Sequence, residues 1–486
     1  MYLYLVSIAG EIPLKSHITR SRFVRRLIRN IEDALLRKNV KEFKIWIDGA
    51  RIFIKADCAV DNVLTRIFGV HSVAKVVELE FDSLSDLADK VCKITMGYVK
   101  NKKFAIRVHR VGNHNFTSLD VAKIVGAKLK PYSFGVDLET PDVEIFIEIR
   151  NKRAYVFTEK LKGPKGLPIG VEGKALVLFS GGFDSPVAAW FTAKRGVKVD
   201  FLHFILTSPH SAYYAFKVAK HITEHWLYGY EPKFYIVDLS NIVSYIIENV
   251  RRDYSQVVLR AVMYIVASKI VKEKDYDTIV TGESVGQASS QTLKNLKVLE
   301  ETLNLNTLIV RPLISLDKEE IIDYSRFIET YNLSSIIREY CVIARRHVVT
   351  KADPRILKSE IDKIPSDFFE KAVGSIKEYN ILKTGPLKFL DTSEIEIDFI
   401  PEGAFIIDVR DFDEYRKWHI DKAVHISDIT DIEKLKDKIV IVYCKSGSLS
   451  FIFAKKLRED GIKAFSLKGG ILRIQELEKK GVCKVV

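Results

Sequence analysis

The stretch ALVLFSGGFDSP, Ala175 to Pro186, decides how this chain is read. Five apolar residues in a row, Ala175 to Phe179, have the length and composition of a strand buried on both faces. Ser180-Gly181-Gly182-Phe183-Asp184-Ser185 breaks the run, and Pro186, favoured at a first helical position, opens a helix expected over 186–194. Two glycines at such a turn let the backbone approach a phosphate, and the helix N-terminus adds N–H donors and partial positive charge. The loop is not a Walker A motif, because Gly173-Lys174, the nearest imitation, runs into Ala175.

Downstream the pattern repeats. VDFLHF (199–204), FYIVDL (234–239), DTIVTG (277–282) and TLIVRPL (307–313) read as strands, with helices expected over 212–227 and 257–272 between them. That alternation predicts a doubly wound parallel sheet. Asp317 and Glu320 form a capping-box pattern opening a helix to about residue 331. Upstream, strands over 2–8, 43–47, 104–108 and 143–149 and helices over 21–36 and 118–129 predict α+β structure. KLKGPKGLPIGVEG (160–173) reads as a linker. Past Pro386, strands over 405–409, 438–443 and 464–467 and a helix over 449–460 predict a small third α/β unit. The expected domains are 1–60, 61–170, 171–385 and 390–486.

The 486 residues are 47% apolar and 29% charged, and no window is dominated by Pro, Gly or Ser, which excludes a disordered or fibrous chain. No run approaches the roughly 18 apolar residues of a membrane span, and MYLYLVSIAGE has no basic region before its apolar run. A cytoplasmic location without membrane contact is expected. The five cysteines, Cys58, Cys92, Cys341, Cys444 and Cys483, are scattered and odd in number, which excludes a secreted disulfide framework, and they show no zinc spacing. Cys58 and Cys92 read as small buried apolar side chains and Cys483 as a bystander.

The net charge of +13 is unevenly spread. Residues 1–170 hold 30 Lys and Arg against 19 Asp and Glu, while the last hundred residues are balanced. Its densest part, Arg20, Arg22, Arg25, Arg26 and Arg29, falls on the first expected helix. An excess confined to one region is the footprint of a polyanion partner, nucleic acid first.

SGG-x-DS at the end of a buried strand resembles the PP-loop of ATP pyrophosphatases. With GEIPLKS from Gly10, TGESVGQASSQTLKNL from Thr281 and RPLISLDKEEI from Arg311, nearly the whole chain resembles the tRNA 4-thiouridine synthetases, a family also linked to thiamine thiazole synthesis. The resemblance implies a ferredoxin-like start, a THUMP domain, a PP-loop domain and a rhodanese-like domain. It further implies ATP and Mg²⁺ as cofactors, with tRNA as partner and a cysteine desulfurase as persulfide donor. A homodimer stays open as an alternative to the monomer. ATP would lie against Leu178, Phe179, the Ser180-Gly181-Gly182 turn, His203, Phe204, Arg260, Gly282 and Gln291. Asp184 and Ser185 would help hold Mg²⁺ and phosphate, and no dedicated metal ligand is assigned. The five arginines would dock tRNA.

The strand ending at Tyr443 runs into Cys444-Lys445-Ser446-Gly447-Ser448-Leu449-Ser450, which places a sulfur at a helix N-terminus, where N–H groups stabilise a thiolate or persulfide. With Asp408-Val409-Arg410, His419-Ile420 and Gly469-Gly470-Ile471, the last hundred residues resemble a rhodanese. Leu449 replaces the usual Arg, and Trp418 and Lys422 replace usual glycines, which argues against stand-alone thiosulfate turnover. The family resemblance also implies that Cys341 forms a transient disulfide with Cys444 as sulfur is released.

Two rival functions keep the fold: a PP-loop enzyme with another acceptor, such as tRNA 2-thiolation or amide ligation, and a tRNA-binding protein with inert catalytic domains. His221-Ile222-Thr223-Glu224-His225 imitates a zinc-protease pattern but reads as a solvated helix face.

Overall fold

The computed structural model describes the chain except residues 207–210, 336, 338–347, 390–394, 446, 473, 475–486 and the side chain of Ser448. Cys341, Ser446 and Cys483 therefore lie outside the described residues. The chain forms two compact units, a larger one holding most residues up to Lys383 and a smaller one made of the chain from Thr384 onward together with short segments at 211–217 and 332–335.

The larger unit contains three sheets. The first is antiparallel, in the order Leu161–Lys162, Val70–Lys75, Tyr2–Ile8, Arg51–Ala56, Phe43–Asp48. Helix His17–Arg37 covers it, burying Leu27, Ile31, Ala34 and Leu35 against Tyr4, Val6, Ile52 and Ile54. This helix starts four residues before the expected position because Ser16 Oγ accepts the Thr19 N–H at 3.4 Å and caps it. Val70–Lys75 belongs to this sheet, so the first domain passes the boundary expected at 60. The second sheet runs Val77–Glu80, Arg153–Phe157, Val143–Arg150, Lys103–Val111, Gly135–Val136. Helices Leu84–Val99 and Ser118–Leu129 share its core.

Residues 160–173, expected as a linker, are packed as a strap. Leu161 and Lys162 pair with Val73 and Ser72, and Leu167 and Ile169 are buried. A Cβ on Gly163 would stand 2.4 Å from the Val70 carbonyl oxygen, and one on Gly166 would stand 2.1 Å from that of Lys194. The glycines here serve close backbone approach, not mobility.

The third sheet is the expected doubly wound one. Its order is Leu308–Val310, Thr278–Val280, Lys174–Leu178, Lys198–Ile205, Lys233–Asp238, all parallel, with Lys377–Asn380 added antiparallel at the edge. Strand order reverses between Lys174–Leu178 and Thr278–Val280, so the ligand crevice of such a sheet falls at the carboxyl end of Lys174–Leu178. Helix Ser255–Glu273 buries apolar residues almost all round, from Val257 to Val271.

The smaller unit is a parallel sheet in the order Glu396–Ile397, Lys463–Leu467, Ile439–Tyr443, Phe405–Asp408, Val424–His425, with helix Ser448–Glu459 against it. Among the described residues no helix is long and apolar enough to cross a membrane. The expectation for Cys58 fails, since its side chain is exposed, and Cys92 is only half-buried.

Candidate functional site

The loop after Lys174–Leu178 is closed by its own side chains. The Gly181 N–H donates to Ser185 Oγ at 3.2 Å and the Gly182 N–H to Ser180 Oγ at 3.3 Å, with Gly181 at φ +83°. The helix begins at Asp184, two residues before the expected Pro186, because the first helical N–H groups need no intrahelical partner and proline is tolerated throughout that turn. Among the described residues no side chain caps this N-terminus, an arrangement suited to an anion.

Asp184 ties three segments together. Its Oδ1 accepts from Lys318 Nζ at 2.9 Å and its Oδ2 from Gln287 Nε2 at 2.8 Å. Lys318 heads helix Lys318–Phe327, fixed by the expected capping box: the Glu320 N–H donates to Asp317 Oδ1 at 2.9 Å and the Asp317 N–H to Glu320 Oε2 at 3.0 Å. A Cβ on Gly282 would stand 3.0 Å from Asp184 Cβ, so glycine is what lets this segment lie against the loop. Gln291 shapes the same segment, its main-chain oxygen accepting from the Gly286 N–H at 3.1 Å and its Oε1 from the Ser284 N–H at 3.4 Å. Sequence reasoning did not assign Lys318 or Gln287, although both lie inside the motifs quoted above.

His203 and Phe204 lie near the end of the neighbouring strand, Lys198–Ile205, and both are buried. His203 Nδ1 bonds the Phe179 carbonyl oxygen at 2.9 Å, which locks two strand ends in register. Burial pushes the imidazole down to about 4, so it is neutral near pH 7 and Nδ1 carries the donated proton. Leu178 is half-buried at the strand end.

Arg260 lies in a buried ionic cluster. It pairs with Glu283 and donates to Ser290 Oγ at 3.1 Å. Glu283 also accepts from Arg311 Nε at 2.7 Å, Tyr264 OH at 2.5 Å and Thr281 Oγ1 at 3.0 Å. Burial alone would raise the Glu283 carboxyl, but Arg260, Tyr264 and Arg311 outweigh it and hold the group below the ordinary range.

The arginines of helix His17–Arg37 separate into two faces. Arg20, Arg22, Arg25 and Arg29 are exposed. Arg26 is not: its Nε donates to the Ile169 carbonyl and its Nη2 to that of Gly229, both at 2.7 Å. One and two turns on, Asn30 reaches the Ile169 carbonyl at 3.2 Å and Asp33 accepts the Gly229 N–H at 2.6 Å. Arg26 thus fastens the first sheet's helix to the PP-loop domain. Between the first two sheets, Arg51, Arg107, His109, Lys160 and the buried Glu148 line a cleft of about 120 Å³.

In the smaller unit Cys444 is buried in the loop that opens helix Ser448–Glu459. Its Sγ accepts from the Gly447 N–H at 3.2 Å and the Ser450 N–H at 3.4 Å. Gly447 has φ +95°, and a Cβ on Gly470 would stand 2.2 Å from the Cys444 carbonyl oxygen, so both glycines are required by the fit of loop on turn. Leu449 is exposed, and Trp418 accepts Arg410 Nη2 on its carbonyl at 2.6 Å.

The His221–His225 pair is not the solvated face expected. The two rings stack at 4.3 Å, and burial first, then His225, pushes His221 down to about 4. Among the described residues no His, Cys, Asp and Glu group is placed to hold a metal ion.

A doubly wound domain with a phosphate-type loop at its switch point, carried on a chain that also holds a rhodanese-type sulfur loop, defines a PP-loop sulfurtransferase. Residues 170–365 match the thiamine biosynthesis protein (ThiI) family, 4–74 the ThiI ferredoxin-like domain, 80–159 the THUMP domain and 395–477 the rhodanese-like domain. The chain is 47% identical over 481 residues to the tRNA sulfurtransferase of Desulfurococcus amylolyticus, covering 99% of this chain and 100% of that one. It is 37% identical over 471 residues to the tRNA sulfurtransferase of Pyrobaculum aerophilum, covering 94% and 95%. The protein belongs to the tRNA sulfurtransferase family. A crystal structure of a 4-thiouridine synthetase–RNA complex with bound ATP is similar at a TM-score of 0.68 and 28% identity, over 78% of this chain and 99% of that one.

Proposed function

We propose that the protein converts a uridine of tRNA, at position 8, to 4-thiouridine. The observation that carries this reading is the presence on one chain of two matched sites: the Asp184-centred loop for activating an oxygen, and the N–H cradle around Cys444 for carrying sulfur. The solved 4-thiouridine synthetase complex, with its RNA and ATP, supports it.

Uridine O4 attacks the α-phosphorus of ATP, diphosphate leaves, and a poor leaving oxygen becomes an adenylated one. The N–H groups at the start of helix Asp184–Lys194, with Ser180, Ser185 and Lys318, hold the phosphates. The donor set, one carboxylate at Asp184 and one hydroxyl at Ser185 beside phosphate oxygens, fits Mg²⁺, which supplies charge neutralisation when bound. Leu178, Phe179, His203, Phe204, Gly282 and Gln291 line the nucleotide crevice, with Arg260 and Arg311 behind them. A persulfide on Cys444, loaded from a cysteine desulfurase, attacks C4 through its outer sulfur and AMP leaves. The Cys341 thiolate then attacks Cys444 Sγ, the S–S bond to the base breaks, 4-thiouridine is released as the thiolate, and Cys341–Cys444 is left as a disulfide for a dithiol to reduce. Arg20, Arg22, Arg25 and Arg29 dock the tRNA. The ThiI family match supports a second use of the same persulfide, for thiazole sulfur in thiamine synthesis.

Mass spectrometry of nucleosides from tRNA incubated with protein, ATP, a persulfide source and dithiol tests the reading. The expected product is 4-thiouridine with one AMP per sulfur. Cys444→Ala should stop thiolation while AMP formation persists, and Cys341→Ala should cut turnover without stopping persulfide loading. Appearance of 2-thiouridine, or no AMP from the parent chain, overturns it.

A further inference from the structure

Two serine hydroxyls are buried behind the Cys444 sulfur. Ser450 Oγ lies 3.5 Å from Cys444 Sγ and 2.8 Å from Ser466 Oγ, and both serines are 0% exposed. Both hydroxyls also reach one carbonyl, that of Gly447, from 3.0 Å for Ser450 and 3.3 Å for Ser466. A bond from Ser450 to Gly447 alone would be the local back-bond that serine makes within a helix. Ser466 arrives from the separate strand Lys463–Leu467, and burying a second hydroxyl completely is costly unless it is used.

The hydroxyl protons have two consistent arrangements. When Cys444 is a thiol, its S–H donates to Ser450 Oγ and Ser450 donates to the Gly447 carbonyl. When Cys444 is a thiolate, Ser450 turns its O–H to the sulfur and Ser466 donates to Ser450 Oγ. The donors to the sulfur then include the Gly447 N–H, the Ser450 N–H and the Ser450 hydroxyl. The change requires only rotation about Cβ–Oγ bonds, and the proton lost by sulfur leaves to solvent.

We propose that Ser450, backed by Ser466, is a rotating hydroxyl donor that favours ionised Cys444 and so sets the pH at which this sulfur becomes reactive. This rests on the reading of Cys444 as the sulfur carrier. Ser450 touches the reacting atom, and Ser466 is a positioning residue acting through it. The charged groups on the surrounding elements have other positions: Asp408 and Arg410 close on each other at 2.7 Å, and Lys445, Lys455, Lys456 and Lys468 are exposed. The Tyr443 hydroxyl accepts the Ile420 N–H at 3.2 Å.

The test is the pH dependence of Cys444 alkylation by iodoacetamide in the full-length chain, read from the mass of its peptide, with a thermal melt for each variant. Ser450→Ala should move the midpoint up by about one pH unit, making alkylation about tenfold slower below it. Ser466→Ala should move it the same way by less, and Ser450→Thr, which keeps the hydroxyl, should restore it. A merely structural role would shift the melt and leave the midpoint in place. Should Ser450→Ala not fold, Ser466→Ala still has to raise the midpoint, and an unmoved midpoint in folded Ser466→Ala or Ser450→Ala refutes the proposal. Failure of the carrier reading would look different: a shifted midpoint in the variants, but no persulfide loaded on the parent Cys444.

Discussion

Lys318 Nζ stands 2.9 Å from Asp184 Oδ1, joining the start of one helix to the start of another across 134 residues of sequence. The other carboxylate oxygen is held by Gln287, so two donors from separate segments fix one acid at the end of the phosphate-type loop. Lys318 is roughly half-exposed, and an exposed pair of this kind contributes only about 0–1 kcal/mol to stability. Its role is therefore better sought in charge than in folding. Lys318→Ala should leave the melting temperature within a few degrees of the parent. It should cut tRNA-dependent diphosphate release by about 100-fold, the usual scale for losing one electrostatic partner of a developing charge. Normal release from a folded variant would remove Lys318 from the phosphate site.

The two faces of helix His17–Arg37 predict opposite phenotypes. Arg22, Arg25 and Arg29 are exposed, so replacing all three with Glu should weaken tRNA binding and flatten its dependence on salt, by about one unit of slope for each phosphate no longer neutralised. The melt should barely move. Arg26→Ala removes a charged donor from two carbonyls, Ile169 and Gly229, and should destabilise the chain by about 2–3 kcal/mol while leaving the salt slope unchanged. Binding measured across a KCl series, beside thermal melts, separates the two. An Arg26→Ala chain that melts normally but loses its salt slope would place Arg26 on the RNA instead.

The α/β domain was legible because its strands are continuous apolar runs between glycines, a pattern that leaves few alternatives. The strands Arg51–Ala56, Val70–Lys75 and Arg153–Phe157 escaped reading because they are short and partly polar, and their place is set by pairing with distant partners rather than by local pattern. The same limit hid the site's supporting groups. Ser180, Gly181 and Asp184 announce a loop from their own spacing. Lys318, Gln287 and Glu283 acquire meaning only when the sheet brings the ends of its strands together. Arg26 shows the converse: counted with its neighbours as charge, it is consumed by two backbone carbonyls that no periodicity reveals. In residues 160–173 glycine and proline density read as a linker, and only the structure shows that the glycines mark where two backbones touch.

His203 makes the stability of the chain sensitive to acid. Its imidazole is buried between strand ends and pushed down to about 4, against an ordinary value of 6.5 in the unfolded chain. Between those values the unfolded state binds a proton that the folded state refuses. Its contribution to stability is therefore fully present above about pH 6.5 and is lost progressively as pH falls toward 4. The full loss is about 3 kcal/mol, and about 2 kcal/mol of it is gone by pH 5. His221, pushed down for the same reason of burial, adds a change of the same sign. His203→Gln can still donate to the Phe179 carbonyl but has nothing to titrate. Urea unfolding at a series of pH values should thus show the parent losing stability from pH 7 to pH 5 more steeply than His203→Gln, by about 2 kcal/mol across that span. Parallel curves for the two chains would mean that the imidazole takes up its proton without leaving the strand ends.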